Sequence, residues 1–200
     1  MGKWKYLKCV ILMILLTGIF KISANAEEPR LTLGYKWAAK GSRVLFYCNL
    51  NDTWKNSINI AMNRWNEVKD FNTNSDIVPL ALSENSNREN KIYCSTTSQL
   101  WLAKTFPEVS NRSITSVDII FNSKDYSYIL GAAAGKYDIV SVAVHELGHV
   151  IGIAHCHELS ETSCFSSTCL SNVMNPEIPA NTRRRELTGY DSSSKQVIYW

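Results

Sequence analysis

From position 145 to 155 the chain reads His-Glu-Leu-Gly-His-Val-Ile-Gly-Ile-Ala-His, and this stretch restricts the fold more than any other. Histidines four residues apart lie on one face of an α-helix, so His145 and His149 meet at a single ion if the segment is helical. Gly152 then allows a backbone conformation closed to most residues, which ends the helix and turns the chain. Three residues later His155 can swing back and supply a third imidazole. The chain has four histidines, and three of them fall in this pattern. The fourth, His157, reads as a loop residue.

Propensity alone argues against the helix. Ile139, Val140, Val142, Val144 and Val150 are β-branched and would suit a strand. The ligand spacing predicts a helix nonetheless, with Asp138 as its N-cap. Three neutral imidazoles with an open fourth position fit one catalytic Zn2+, whereas a structural zinc would be closed by a fourth protein ligand. Glu146 is then the candidate catalytic base, placed to take a proton from a metal-activated water and pass it to a leaving amine. No serine or cysteine nucleophile motif competes with this reading.

The N-terminus bears on where such a site would work. Lys3, Lys5 and Lys8 precede an apolar run from Val10 to Phe20, and Ala24-Asn25-Ala26 follows. This order predicts a secretory signal peptide over residues 1–26, cleaved after Ala26, with an extracellular product spanning 27–200 as one domain. The apolar run is too short for a membrane span, and Lys21 interrupts it, so no stable membrane association is expected after cleavage. All 18 acidic residues lie beyond Ala26 but four of the 21 basic ones do not, which leaves 17 basic against 18 acidic residues. On that balance the basic pI reports export, and no nucleic-acid partner is expected. Arg183-Arg184-Arg185, followed by Glu186, reads as a solvated face.

Removing the leader also removes Cys9 and leaves Cys48, Cys94, Cys156, Cys164 and Cys169. The number is odd, so at least one thiol stays out of any intrachain disulfide. An oxidising compartment favours disulfides, and the three cysteines from 156 to 169 could close a loop, but the pairing stays open.

Residues 43–48 predict a strand, and Asp52 or Thr53 caps a helix carrying Ile58, Met62, Trp65 and Val68. A second strand is expected over 77–82, limited by Pro79, and a surface loop over 83–91. Strands are expected at 100–106 and 116–121, with a turn over 107–113 between them. Residues 126–136, with Gly131 and Gly135, read as a loop entering the helix.

At this point the sequence resembles the metzincin metallopeptidases, whose motif is HExxHxxGxxH followed by a methionine turn. Asn172-Val173-Met174-Asn175-Pro176 is similar to that turn, which would place Met174 beneath the metal. Pro176 stands where some metzincins carry a metal-reaching tyrosine, so the resemblance is closest to the matrixins. Trp101-Leu102-Ala103-Lys104-Thr105-Phe106-Pro107 resembles the matrixin edge strand, and implies that Leu102 and Ala103 pair with substrate backbone. Leu187-Thr188-Gly189-Tyr190-Asp191 and Ile198-Tyr199 resemble the terminal helix.

The resemblance covers residues 31–200. It implies an α+β, zincin-like fold: a twisted mixed β-sheet, an active-site helix, and a small irregular C-terminal part from about residue 153. It further implies a monomeric zinc metalloendopeptidase acting on protein or peptide substrates, and it leaves room for Ca2+. Three departures stand out. No cysteine-switch propeptide is expected after Ala26, Lys104 replaces a histidine that often holds a second zinc, and Cys156 replaces a usual serine. Two competing readings remain: a secreted zinc-containing peptide-binding module without turnover, and a zinc hydrolase of cell-wall peptide crosslinks.

Overall fold

The computed structural model describes residues 32–156 and 167–200. The signal-peptide segment, His157 and Cys164 lie outside the described residues. Strands β1 (Lys36–Trp37), β2 (Val44–Cys48), β3 (Leu80–Ser83), β4 (Lys91–Ser95), β5 (Ala103–Ser110) and β6 (Ser113–Asn122) form one sheet. Its order is β1-β6-β4-β2-β3, all parallel, with β5 antiparallel on β6. Helix α1 (Asp52–Asn66) connects β2 to β3, and helix α2 (Ile139–Val150) follows the short parallel pair β7 (Tyr128–Ile129) and β8 (Tyr137–Asp138). Two further helices, α3 (Ser167–Ser171) and α4 (Gly189–Ile198), belong to the C-terminal part.

Helix α1 is amphipathic, burying Ile58, Ala61, Met62 and Trp65 at helical spacing. Its N-cap is Asn51, one position earlier than the sequence suggested, whose side chain accepts from the Trp54 amide. Val68 is buried just beyond the helix end. Helix α2 packs between α1 and β5, with His149 its one residue that is not buried. This placement explains why valines are tolerated there. Each costs at most about 0.7 kcal/mol of helix propensity, while burying its side chain contributes about 1.5–3 kcal/mol.

The short strands β1, β7 and β8 form where no strand was expected, β7 within the loop read over 126–136, and the sheet also differs in three further places. Strand β4 forms where the surface loop was expected to end, because Lys91–Ser95 lies between β2 and β6 and pairs with both. Strand β3 begins at Leu80 rather than at 77, although Val44 still donates to the Pro79 carbonyl. The turn expected over 107–113 is shorter, since Pro107 pairs with Val117 and the chain reverses only at Asn111 and Arg112. Both residues take the left-handed conformation that such a tight reversal requires. A proline fits inside β5 because, among the described residues, β6 is its only partner strand, which leaves the other edge without a ladder there.

Candidate active site

Helix α2 begins where Asp138 accepts hydrogen bonds from the Ser141 amide and hydroxyl and from the Gly131 amide. The Asp138 side chain is fully buried, and Arg185 pairs with it through Nε and Nη2. Burial pushes this carboxyl up, but the bonds from Arg185, Ser141 and Gly131 outweigh it and hold it below the usual range. The basic run at 183–185 is therefore not simply a solvated face. Arg183 is exposed, whereas Arg185 anchors the active helix and Arg184 donates to the Glu177 carbonyl.

At its other end the helix stops at Gly152, with φ of +91°. The Gly152 amide donates to the His149 carbonyl, and the Ile153 amide to the Gly148 carbonyl. A Cβ at Gly152 would strike the Tyr35 carbonyl oxygen, so both conformation and space demand glycine. This turn carries His155 back toward the helix face.

The three imidazoles converge. Their Nε2 atoms lie 3.2 Å apart for His145 and His149, 3.1 Å for His149 and His155, and 3.3 Å for His145 and His155. The opposite ring nitrogens are occupied: Nδ1 of His145 meets the Val173 carbonyl at 2.8 Å, and Nδ1 of His149 meets the Ile153 carbonyl at 2.8 Å. A carbonyl only accepts, so each Nδ1 carries the proton and each Nε2 presents a lone pair. Lone pairs facing one another at this distance repel unless a cation lies among them. A tetrahedral ion bound at about 2.0–2.1 Å separates its ligands by about 3.3–3.4 Å, so this set fits zinc. Burial first, then the neighbouring histidine, pushes His145 well below its usual range. Burial likewise pushes His149 down to about 4, which favours the neutral form a metal ligand needs.

Glu146 is 5 % exposed and borders the same cleft as the three histidines. Burial raises its carboxyl to about 7, against hydrogen bonding from Thr105. Thr105 Oγ1 lies 2.7 Å from Glu146 Oε2 and 3.0 Å from the Glu146 carbonyl oxygen. Sequence reading missed Thr105: nothing distinguishes it within its strand, and it is 41 residues from its partner.

Leu102 and Ala103 also line the cleft, with Tyr126, Tyr137, Val142 and Ile178 on its other walls. The Leu102 carbonyl accepts from the Asn122 amide and from the Tyr128 hydroxyl, which fixes the start of β5. Met174 is fully buried under the helix. Its turn is held by the Asn172 side chain, which accepts from the Met174 amide at 2.8 Å. The buried Asp191 carboxylate accepts from the Val173 amide and, at 2.8 Å, from the Thr188 amide. Because the Val173 carbonyl meets His145, this turn also orients the first imidazole.

A disulfide joins Cys156 to Cys169, and among the described residues Cys48 and Cys94 are free thiols. The sequence left this pairing open. The bond ties the residue after His155 to the helix preceding the methionine turn, and the Cys156 amide donates to the Met174 carbonyl.

Residues 47–199 match the family model Peptidase_M10, described as matrixin. No curated protein matches the chain.

Proposed function

This chain belongs to the matrixin family of metallopeptidases, and we propose from that premise that it is a secreted zinc metalloendopeptidase. In this reading residues 1–26 are a cleaved signal peptide and residues 27–200 a monomeric catalytic domain released outside the cell. Among the described residues no helix is long and apolar enough to cross a membrane. The reading is carried by one observation: three imidazole Nε2 atoms meet within 3.3 Å beside the Glu146 carboxyl, in a cleft bordered by an edge strand.

His145, His149 and His155 would hold the zinc. When bound, the ion supplies Lewis acidity, lowering the pKa of an attacking water and polarising the scissile carbonyl. The remaining work falls to the protein. The start of strand β5, at Ala103 with Leu102 just before it, binds substrate main chain along the open edge of the sheet, which suits protein and peptide substrates of varied sequence. Glu146 takes a proton from the attacking water and returns it to the leaving nitrogen. Met174 and the turn around it keep His145 aimed at the centre.

The test is digestion of a generic unfolded protein such as casein by the zinc-loaded exported chain. Cleavage should stop on chelation and fall by about 10²–10⁴ in Glu146→Ala, the usual worth of a general base. Undiminished cleavage by Glu146→Ala refutes the mechanism. Zinc binding with no cleavage of proteins would favour a peptide-binding module, and cleavage confined to cell-wall peptides would favour a crosslink hydrolase.

A further inference from the structure

We propose that Thr105 is a positioning residue for Glu146, tying one carboxyl oxygen so that the other faces the cleft; this rests on the peptidase reading above. The Thr105 hydroxyl has one proton and two acceptors within reach, Glu146 Oε2 at 2.7 Å and the Glu146 carbonyl at 3.0 Å. A carboxylate oxygen is the stronger acceptor, so the hydroxyl donates to Oε2. The Thr105 backbone amide also acts on this carboxyl, no other described residue hydrogen-bonds it, and Glu146 borders the cleft.

Helix α2 cannot provide this restraint itself. The neighbours of Glu146 three and four positions away are Val142, Ala143, His149 and Val150. Three are apolar. The fourth, His149, has Nδ1 on the Ile153 carbonyl and Nε2 in the imidazole cluster. A glutamate on a helix otherwise keeps several staggered conformers, and a general base works only when held close to its productive geometry. The restraint has to come from another element, and β5 provides it. Lys104, the preceding residue, acts on the carboxyl only through its charge and makes no hydrogen bond to it: its side chain is exposed and its ammonium lies over the Phe106 ring at 5.2 Å. One residue of β5 thereby connects the strand proposed to bind substrate with the carboxyl proposed to move the proton.

The experiment compares Thr105→Val, which keeps the shape but removes the hydroxyl, with Thr105→Ser, which keeps the hydroxyl. In the zinc-loaded chain Thr105→Val should lower kcat by about tenfold to a hundredfold, the worth of a hydrogen bond to a charged group. Its KM and zinc affinity should stay within about twofold, and Thr105→Ser should recover most of the loss. Wild-type kcat in Thr105→Val, a loss residing in KM, or a serine variant as impaired as the valine one would each overturn the proposal. A second readout needs neither zinc nor turnover. The isotope-edited carboxylate stretch of Glu146, assigned by its disappearance in Glu146→Gln, should shift in Thr105→Val and return in Thr105→Ser. If the wild-type chain cleaves nothing, the peptidase reading fails but this band still decides the tether, and an unchanged band in Thr105→Val refutes it.

Discussion

Gly148→Ala sets two effects of opposite sign against each other at the centre of the site. Gly148 lies inside α2, where alanine is favoured over glycine by about 0.8–1.0 kcal/mol in helix propensity. On that ground alone the change should stabilise the protein. A Cβ there would, however, collide with Met174 Sδ, approach Met174 Cε at 2.9 Å and meet Trp65 Cζ2 at 3.1 Å. Both Met174 and Trp65 are fully buried, and the Trp65 ring nitrogen donates to the Val144 carbonyl at 2.8 Å, so neither can retreat easily. Overpacking of this kind costs about 1–3 kcal/mol, occasionally more, and should win. The expected net loss is about 0–2 kcal/mol.

The sign should reverse when Met174 is truncated. Met174→Ala alone should cost about 2–5 kcal/mol through the cavity it leaves. In that background Gly148→Ala has room for its methyl group and should gain about 1 kcal/mol, giving a coupling of about 1–3 kcal/mol between the two positions. The assay is urea unfolding of the four proteins of the cycle, followed by tryptophan fluorescence with chelator present so that metal binding does not contribute. A stabilised Gly148→Ala single variant, or a coupling energy within about 0.5 kcal/mol of zero, would show that Met174 does not constrain the helix as described.

Arg185→Met leaves the fully buried Asp138 carboxylate without its cation and should cost about 3–5 kcal/mol; an unfolding midpoint close to wild type would contradict the burial of this pair. Lys195 on α4 is 1 % exposed and donates to the Trp65 carbonyl, and burial, then the Lys69 charge, lowers it to about 7. Between that value and the unfolded value near 10.4 the unfolded chain binds the extra proton, so stability should rise with pH by up to about 1.4 kcal/mol per pH unit. Lys195→Met should flatten this rise, and parallel pH–stability curves for the two proteins would exclude it. Zinc at about a hundredfold excess over its Kd should add about 2.7 kcal/mol, seen as a concentration-dependent rise in Tm that His155→Ala loses. An unshifted Tm in the wild-type protein would count against the metal site.

Features that depend on local spacing were determined by the sequence alone. Histidines at 145 and 149 share a helix face because of helical geometry, Asp138 caps because it precedes the helix, and Gly152 turns because glycine alone takes a positive φ freely, here +91°. These relations span eleven residues or fewer, so they can be read before any partner is known. The edge-strand character of 101–107 and the methionine turn were legible only through family resemblance. What escaped sequence reading joins residues far apart along the chain. Thr105 meets Glu146 across 41 positions, Arg185 meets Asp138 across 47, and Lys195 meets Trp65 across 130. Strand β4 was missed for the same reason, since Lys91–Ser95 becomes a strand by filling the gap between β2 and β6. The choice of Cys169 as partner for Cys156 also depends on where the methionine turn folds back. Residue spacing along one helix is set by backbone geometry, whereas the second partner of a buried polar group is set by packing, and only the folded chain brings those partners together.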